Sequence, residues 1–126
     1  MRRAGRRRDV KSLIILNNPP YGTERSYNGL RLAHALQKND AQAEVTIFLM
    51  ADAVLCAKAG QKTPNGFYNI ERMIRRVLLG KGTVLLCGTC MDARGLAEAE
   101  IATGARRSTM DELAAATIAA DKVLVF

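Results

Sequence analysis

The sequence predicts an α/β fold in which an open, doubly wound, mostly parallel sheet has helices on both faces. Two observations lead to this prediction. Short segments that are apolar throughout alternate along the chain with segments of helical periodicity, and continuously apolar strands are typical of parallel sheets that are buried on both faces. The length of 126 residues is suited to one domain, which we expect to span residues 12–126.

The elements of the first half follow from short local patterns. Residues 13–16 (LIIL) and 45–50 (VTIFLM) are apolar runs bounded by polar residues, and they predict the first two strands. Between them, a loop with two prolines leads to a helix that Thr23 can cap and that ends near Lys38. A short helix is expected over residues 52–58.

The second half continues the alternation of helices and strands. Three helices of this half are preceded by a residue whose side chain can cap them: Asn69, Thr89 and Ser108. The remaining elements are a loop at 59–69, a helix ending before Gly80, a strand at 84–87, a helix ended by Gly95, a short helix at 96–103 and a strand at 122–126. Right-handed crossovers then favour the flavodoxin-like strand order 2-1-3-4.

The net charge of +7 is concentrated at the start of the chain. The first eleven residues, MRRAGRRRDVK, carry +5, and the other 115 carry +2. We interpret residues 1–11 as a disordered, solvated tail, so nucleic acid is not an expected partner. Because no apolar run approaches the roughly 18 residues of a membrane span, we expect a cytoplasmic protein without a membrane partner.

The segment LNNPPYG at residues 16–22 contains the Asn-Pro-Pro-Tyr motif of DNA amino-methyltransferases. Such an enzyme also needs a glycine-rich turn after a strand, whereas the Gly-x-Gly at residues 80–82 precedes one, so we reject this function. In the order 2-1-3-4, the loops after the first and third strands face each other across a crevice where ligands bind. The predicted binding residues are Asn17, Asn18, Tyr21 and Gly22 on one side and Gly88, Thr89 and Arg94 on the other.

The most reactive groups are expected at Cys87 and Cys90. Cys87 ends the third strand and Cys90 lies near the first turn of the next helix, where unpaired amides and the helix dipole favour a thiolate. Arg94, about one turn further on, adds positive charge. A thiolate is the nucleophile in disulfide exchange and in sulfur transfer, so both cysteines are predicted to be catalytic. Cys56 is expected to be an inert packing residue.

The Cys-x-x-Cys pair is compatible with three kinds of chemistry. Zinc would need two further ligands, and since His34 and Cys56 are poor candidates, we expect no metal site within one chain. A thioredoxin-like redox pair is the second kind, and a single sulfur-carrying cysteine with a neighbour is the third. We expect no cofactor.

The stretch LLCGTCMDARGL at residues 85–96 resembles the DsrE/DsrF/TusD-like family of small sulfur-relay proteins. The stretches IILNNPPYGTERSYNGLRLA and FLMADAVLCAKAGQKTPNG extend the resemblance, which covers the chain from Ser12 to Phe126. It implies a doubly wound fold, a homo- or hetero-oligomer that is commonly a trimer or hexamer, and a cysteine that carries sulfane sulfur as a persulfide. By position that cysteine is Cys87, and the Arg-Gly pair of the family is Arg94-Gly95.

These observations favour a sulfurtransferase-like sulfur carrier that accepts sulfane sulfur on Cys87 and passes it on. Its expected partners are further copies of the same chain and sulfur donors and acceptors, which are either proteins or small thiols. Two alternatives stay open from the sequence. One is a thiol-disulfide oxidoreductase that uses both Cys87 and Cys90, and the other is a non-enzymatic oligomer that binds a small ligand.

Overall fold

The computed structural model describes residues 9–126 and arranges them as one five-stranded sheet flanked by helices. The strands are β1 (Lys11–Leu16), β2 (Glu44–Leu49), β3 (Thr83–Cys87), β4 (Arg106–Ser108) and β5 (Lys122–Val125). The α-helices are α1 (Arg25–Asn39), α2 (Ile70–Leu79), α3 (Gly88–Ala93) and α4 (Met110–Ala119). Two 3₁₀ helices, η1 (Ala51–Ala57) and η2 (Glu98–Glu100), complete the described elements.

All neighbouring strands of the sheet are parallel, in the order β4-β3-β2-β1-β5. The predicted fold class is therefore confirmed: the protein has an open α/β sheet whose strands are joined by helical crossovers. The apolar strands explain the arrangement, because parallel strands need crossover helices that cover the sheet.

The predicted strand order 2-1-3-4 is wrong, because β3 lies beside β2 and not beside β1. The order would have placed α1 and α2 on opposite faces of the sheet. Instead these two helices pack against each other: His34 Nε2 lies 2.9 Å from the Met73 carbonyl oxygen, and Gln37 Nε2 donates to the Val77 carbonyl at 3.0 Å. Right-handed crossovers on the same face step in the same direction across a sheet, so the second crossover carries β3 beyond β2.

The core lies mainly between the sheet and the α1–α2 layer. Ile14, Ile47 and Val84 are in register on neighbouring strands, share one face and are almost completely buried. Gly29 of α1 lets that helix approach this face, since a Cβ at this position would lie 2.5 Å from Leu16 Cδ2. The other face is covered in part by α4, which contributes the buried Leu113.

Three local predictions need correction. The segment 96–103 forms only the single turn η2, and the polar segment Arg106–Ser108 is an edge strand that the sequence did not predict. Helix α4 is capped by Thr109, whose Oγ1 accepts from the Glu112 amide at 3.2 Å, and not by Ser108. An edge strand of three residues carries no apolar alternation, since the hydrogen bonds that define it come from the neighbouring strand.

Two other predicted caps also differ. Helix α1 begins at Arg25 with Glu24 at the N-cap position, and Thr89 lies inside α3 because that helix begins directly after Cys87. The Asn69 cap is confirmed, with its side chain accepting from the Arg72 amide at 3.1 Å.

The first strand lies near the beginning of the described residues. Strand β1 begins at Lys11, which pairs with Glu44. The predicted tail falls largely in residues 1–8, which lie outside the described residues. Within residues 9–126, no helix combines the length and the apolar composition that crossing a membrane requires.

Candidate functional site

Cys87 and Cys90 lie together where β3 meets α3. Cys87 is the last residue of the strand, and the helix begins at the next residue without an intervening loop. The two cysteines are therefore about one helical turn apart along the chain, at the carboxyl end of the parallel sheet, where α/β proteins bind their ligands. Cys87 is 6% exposed and Cys90 is half-buried, and both are free thiols.

The surroundings of Cys87 favour its ionised form. Burial by itself raises the pKa of Cys87, but hydrogen bonds from the Cys90 thiol, the Thr89 hydroxyl and the amides of Cys90 and Thr89 outweigh it. The pKa of Cys87 therefore lies below the ordinary value of a cysteine. Its sulfur lies 3.3 Å from Thr89 Oγ1. Such donors hold a thiolate ready for attack.

Cys90 is tuned in the opposite direction. Burial and the neighbouring Cys87 sulfur raise the pKa of Cys90, although the amide of Ala51 and the charge of Arg94 act against them. The Ala51 N–H donates to Cys90 Sγ at 3.2 Å from the turn that follows β2. Ala51 adopts a positive φ of 52°, which costs an L-residue about 1–2 kcal/mol. The pKa values of the two cysteines are thus shifted in opposite directions, downward at Cys87 and upward at Cys90.

Two arginines carry positive charge to the site. Arg94 donates to Asp52 Oδ1 at 2.8 Å and to the Cys90 carbonyl at 3.1 Å, so it supports the turn of Cys90. Arg107 binds both carboxylate oxygens of Asp92 at 2.8 and 2.9 Å. The sequence predicted Arg94 but not Arg107, because Arg107 lies on the edge strand β4.

Gly88 makes room for the second of these arginines. A Cβ at position 88 would lie 2.7 Å from Arg107 Nε, so the guanidinium occupies the space that a side chain would fill. The charge of Arg107 is also close enough to interact with the sulfur of Cys87. The Gly-Thr sequence after Cys87 is the one signal that could have pointed to a group packed against this turn.

Cys56 is separate from this pair. Its side chain is buried, its thiol lies 3.9 Å from the Asn18 carbonyl, and burial raises its pKa to about 12. A thiol with this pKa is almost fully protonated at neutral pH and is a poor nucleophile. Among residues 9–126, no group of three or more histidine, cysteine, aspartate or glutamate side chains is arranged to hold a metal ion.

The loop after β1 does not face the cysteines, because β2 lies between β1 and β3. Asn17 instead donates from its backbone and side chain to the Phe126 carbonyl beyond β5, at 3.1 and 3.3 Å. The Asn18 carbonyl accepts from Ser26 Oγ at 2.7 Å and so holds the start of α1. Gly22 has a φ of 106°, and Tyr21 turns toward the loop before α2. The prediction that the loops after β1 and β3 face each other across a crevice is therefore wrong.

Comparison with known proteins places this architecture in a family. The profile of the DsrE/DsrF-like family matches residues 11–126. This chain belongs to the DsrE/DsrF-like family. Within that family it is similar to protein YchN of Escherichia coli, with 41% identity over 116 residues that cover 92% of this chain and 98% of YchN.

Other members and structures extend the comparison. The protein MJ0989 of Methanocaldococcus jannaschii is 36% identical over 118 residues, which cover 93% of this chain and 100% of that protein. The crystal structure of YchN superposes on this DsrE-like chain with a TM-score of 0.88, covering 93% of this chain and 99% of the other. A Methanobacterium thermoautotrophicum protein of unknown function shares the fold with a TM-score of 0.74 at 8% identity, with 90% and 97% of the two chains covered.

Proposed function

We propose that this DsrE-like protein is a sulfur carrier that accepts sulfane sulfur as a persulfide on Cys87 and passes it to an acceptor. One observation carries the proposal: the Cys87 sulfur is hydrogen-bonded by the Cys90 thiol, by Thr89 and by backbone amides, and its pKa is lowered. A sulfur acceptor must attack as a thiolate. Cys87 is the one of the three cysteines whose surroundings favour that state.

The chemistry of loading is a sulfur transfer without net oxidation. The Cys87 thiolate attacks the outer sulfur of a donor persulfide R–S–SH. The S–S bond of the donor breaks, the thiolate R–S⁻ leaves, and Cys87–S–SH forms. The reverse attack by an acceptor thiolate on the outer sulfur of Cys87–S–SH unloads the carrier and restores the Cys87 thiolate. Arg107, packed against Gly88, carries a charge that acts on the Cys87 sulfur and would stabilise negative charge there during both steps.

Intact-protein mass spectrometry after incubation with a low-molecular-weight persulfide tests this proposal. We expect a gain of about one sulfur mass (~32 Da) in the wild type and in Cys90→Ser, and no gain in Cys87→Ser. The Cys56→Ser variant is the matched control and is expected to load like the wild type. Sulfur that loads equally well onto Cys87→Ser would contradict the assignment of the carrier residue.

A thiol-disulfide oxidoreductase is the second candidate, and the contact between the two thiols favours it. Because the Cys90 thiol donates a hydrogen bond to Cys87, it can also attack the inner sulfur of Cys87–S–SH. That step releases HS⁻ and leaves a Cys87–Cys90 disulfide, so the released sulfur is reduced and the two cysteines are oxidised. A loss of about two hydrogens (~2 Da) that needs both cysteines would favour this function. No mass change in any variant would favour an oligomer that only binds a small ligand.

We also infer that the carrier works as a homo-oligomer, with three or six copies as the family resemblance implies. Met110, Ala114 and Ile118 recur every four residues along the exposed side of α4, and Ile118 is 87% exposed. Val123 and Val125 of β5 are exposed as well, with Val125 at 64%. A row of exposed apolar side chains on one surface is typical of a site of protein association.

Light scattering during size-exclusion chromatography tests the oligomer. We expect a trimer or hexamer for the wild type and a smaller species for Ile118→Lys. Leu79→Lys is the matched control, because Leu79 is equally exposed at the end of α2 but lies outside the α4 row. A wild type that is monomeric across the concentration range, or an unchanged mass of Ile118→Lys, would refute this surface as the interface.

A further inference from the structure

The aromatic side chains of this chain are concentrated at one surface site. The sequence has three tyrosines, three phenylalanines and no tryptophan. All three tyrosines lie in one stack, and Phe67 lies beside its outer end. Phe48 is the one aromatic residue in the buried core of residues 9–126. Four of the six aromatic residues thus lie together at this surface site.

The stacked rings form a column in which Tyr68 lies between Tyr27 and Tyr21. Tyr27 and Tyr68 stack with ring centroids 4.1 Å apart and an interplanar angle of 24°, and Tyr21 follows Tyr68 at 6.0 Å and 28°. The Arg31 guanidinium lies 5.4 Å from the Tyr27 centroid. Near-parallel rings offer their faces to another flat ring, which is the arrangement that aromatic stacking favours.

A cavity of about 380 Å³ lies beside this column. Its lining is mostly apolar and consists of Tyr21, Thr63, Gly66, Phe67 and Tyr68. The volume and the combination of apolar walls with few polar groups are typical of small-molecule sites. Phe67 is 71% exposed, so its ring is left with a large apolar surface that a ligand can cover.

The walls of the cavity are held in place before any ligand arrives. The Tyr21 hydroxyl donates to Gln61 Oε1 at 2.6 Å and accepts from the Ile70 amide at 3.1 Å. The side-chain amide of Gln61 in turn donates to the carbonyls of Cys56 and Lys58 at 3.0 and 2.9 Å. A ring that is already fixed loses little conformational entropy when a ligand binds to it.

We propose that this cavity binds the planar heteroaromatic ring of a small molecule of mononucleotide size, such as a nucleotide or a flavin. The arrangement of the rings favours a flat ligand over a cation. A quaternary ammonium needs aromatic faces around it on several sides, whereas Tyr21 and Tyr68 are near-parallel and the cation position of the column is already taken by Arg31. The hydroxyls of Thr63 and Tyr68 are side-chain polar groups among the lining residues.

Tyrosine fluorescence of the full chain is a direct probe, because every tyrosine lies in this column and no tryptophan contributes. We would titrate the wild type with adenosine monophosphate and with flavin mononucleotide, and confirm each affinity by calorimetry. Ribose 5-phosphate is the control ligand, because it has a sugar and a phosphate but no ring. A short single-stranded oligonucleotide tests nucleic acid as the source of the ring.

The proposal predicts saturable binding of at least one ring compound and none of ribose 5-phosphate. Removing one stacking ring weakens such binding about ten- to a hundredfold, so Phe67→Ala is expected to lose affinity by that factor. Because the Phe67 ring is mostly exposed, its loss leaves the fold intact. Leu79→Ala and Cys87→Ser are expected to bind within twofold of the wild type, which separates this site from the thiol site.

Three results would overturn the proposal. They are the absence of saturable binding by both ring compounds, an unchanged affinity in Phe67→Ala, and binding of the oligonucleotide when neither mononucleotide binds. Failure of sulfur loading on Cys87 would have no bearing on this site.

Discussion

The hydrogen bond between the two thiols can be tested by substituting Cys90, whose sulfur also accepts from the Ala51 amide. In Cys90→Ala the sulfur of Cys87 loses the donor that contributes most to lowering its pKa. In Cys90→Ser a hydroxyl takes the place of the thiol and keeps the donor. We therefore expect the alkylation of Cys87 to move to higher pH in Cys90→Ala, and to stay near the wild type in Cys90→Ser.

The size of the effect follows from the charge of the acceptor. A hydrogen bond to a charged group contributes about 1.5–3 kcal/mol, which corresponds to a fall of about ten- to a hundredfold in the thiolate fraction at a pH below the titration midpoints of both proteins. A more basic thiolate is also the better nucleophile, and this recovers about half of the loss on a logarithmic scale. The alkylation rate of Cys87 is therefore expected to fall about three- to tenfold in Cys90→Ala.

Timed alkylation with iodoacetamide between pH 6 and 10, followed by peptide mass spectrometry, measures the rate at each cysteine. The midpoint of the pH profile reports ionisation alone, whereas the absolute rate also depends on access to the buried sulfur. Cys56 is the internal reference: a pKa of about 12, instead of 9.0, leaves it roughly a thousandfold less thiolate than an ordinary cysteine. Equal midpoints for the wild type and Cys90→Ala would refute the role of the thiol donor.

Three further predictions concern stability, and urea unfolding checks each of them. Arg106 lowers the pKa of Glu112 to about 2, so this exposed pair stabilises the fold above the ordinary glutamate pKa and loses its effect as the pH falls from about 4.5 through 2. Glu112→Gln should cost under about 1 kcal/mol at pH 6 and much less at pH 2, where Glu112 is only partly ionised, and a difference that stays constant with pH would refute this prediction. Gly29→Ala places a Cβ 2.5 Å from Leu16 Cδ2 and should cost about 1–3 kcal/mol, more than the roughly 1 kcal/mol gained in helix propensity; a higher urea midpoint would contradict this packing. Asn69→Ala removes the cap of α2 and should cost about 0.5–2 kcal/mol, whereas Asn69→Asp should keep most of the stability.

The elements that the sequence predicts correctly are those whose signals are local. Continuous apolar runs mark the strands around Ile14, Ile47 and Val84, and these residues are buried in register in the sheet. The Asn69 cap marks the start of α2, which begins at the next residue, Ile70. The turn from Cys87 into α3 also follows from its own residues, because a strand-ending cysteine followed by Gly-Thr-Cys needs no distant partner to form.

The features that the sequence does not predict depend on distant partners. Strand β4 consists of polar residues and exists because Arg106 and Ser108 are in register with Leu85 and Cys87 of β3. Whether α2 lies on the face of α1 or on the opposite face is decided by contacts such as that of His34 with the Met73 carbonyl, and periodicity gives no sign of them. Because α2 lies on the same face as α1, β3 lies beside β2 in the structure and not beside β1 as predicted.

The strand order also decides which residues complete the thiol site. In the observed sheet the neighbours of β3 are β2 and β4, so the groups that approach the cysteines come from the ends of those strands. The turn after β2 supplies the Ala51 amide to Cys90, and β4 supplies Arg107 against Gly88. The loop after β1, although it carries the most conspicuous motif in the sequence, is left to fix β5 and to form the aromatic cavity through Tyr21. Helix η1 contacts both places, since it begins at Ala51 and its last turn accepts hydrogen bonds from Gln61. A motif at the end of a strand can therefore be assigned to a site only when the neighbours of that strand are known, and here the neighbours separate one expected site into two.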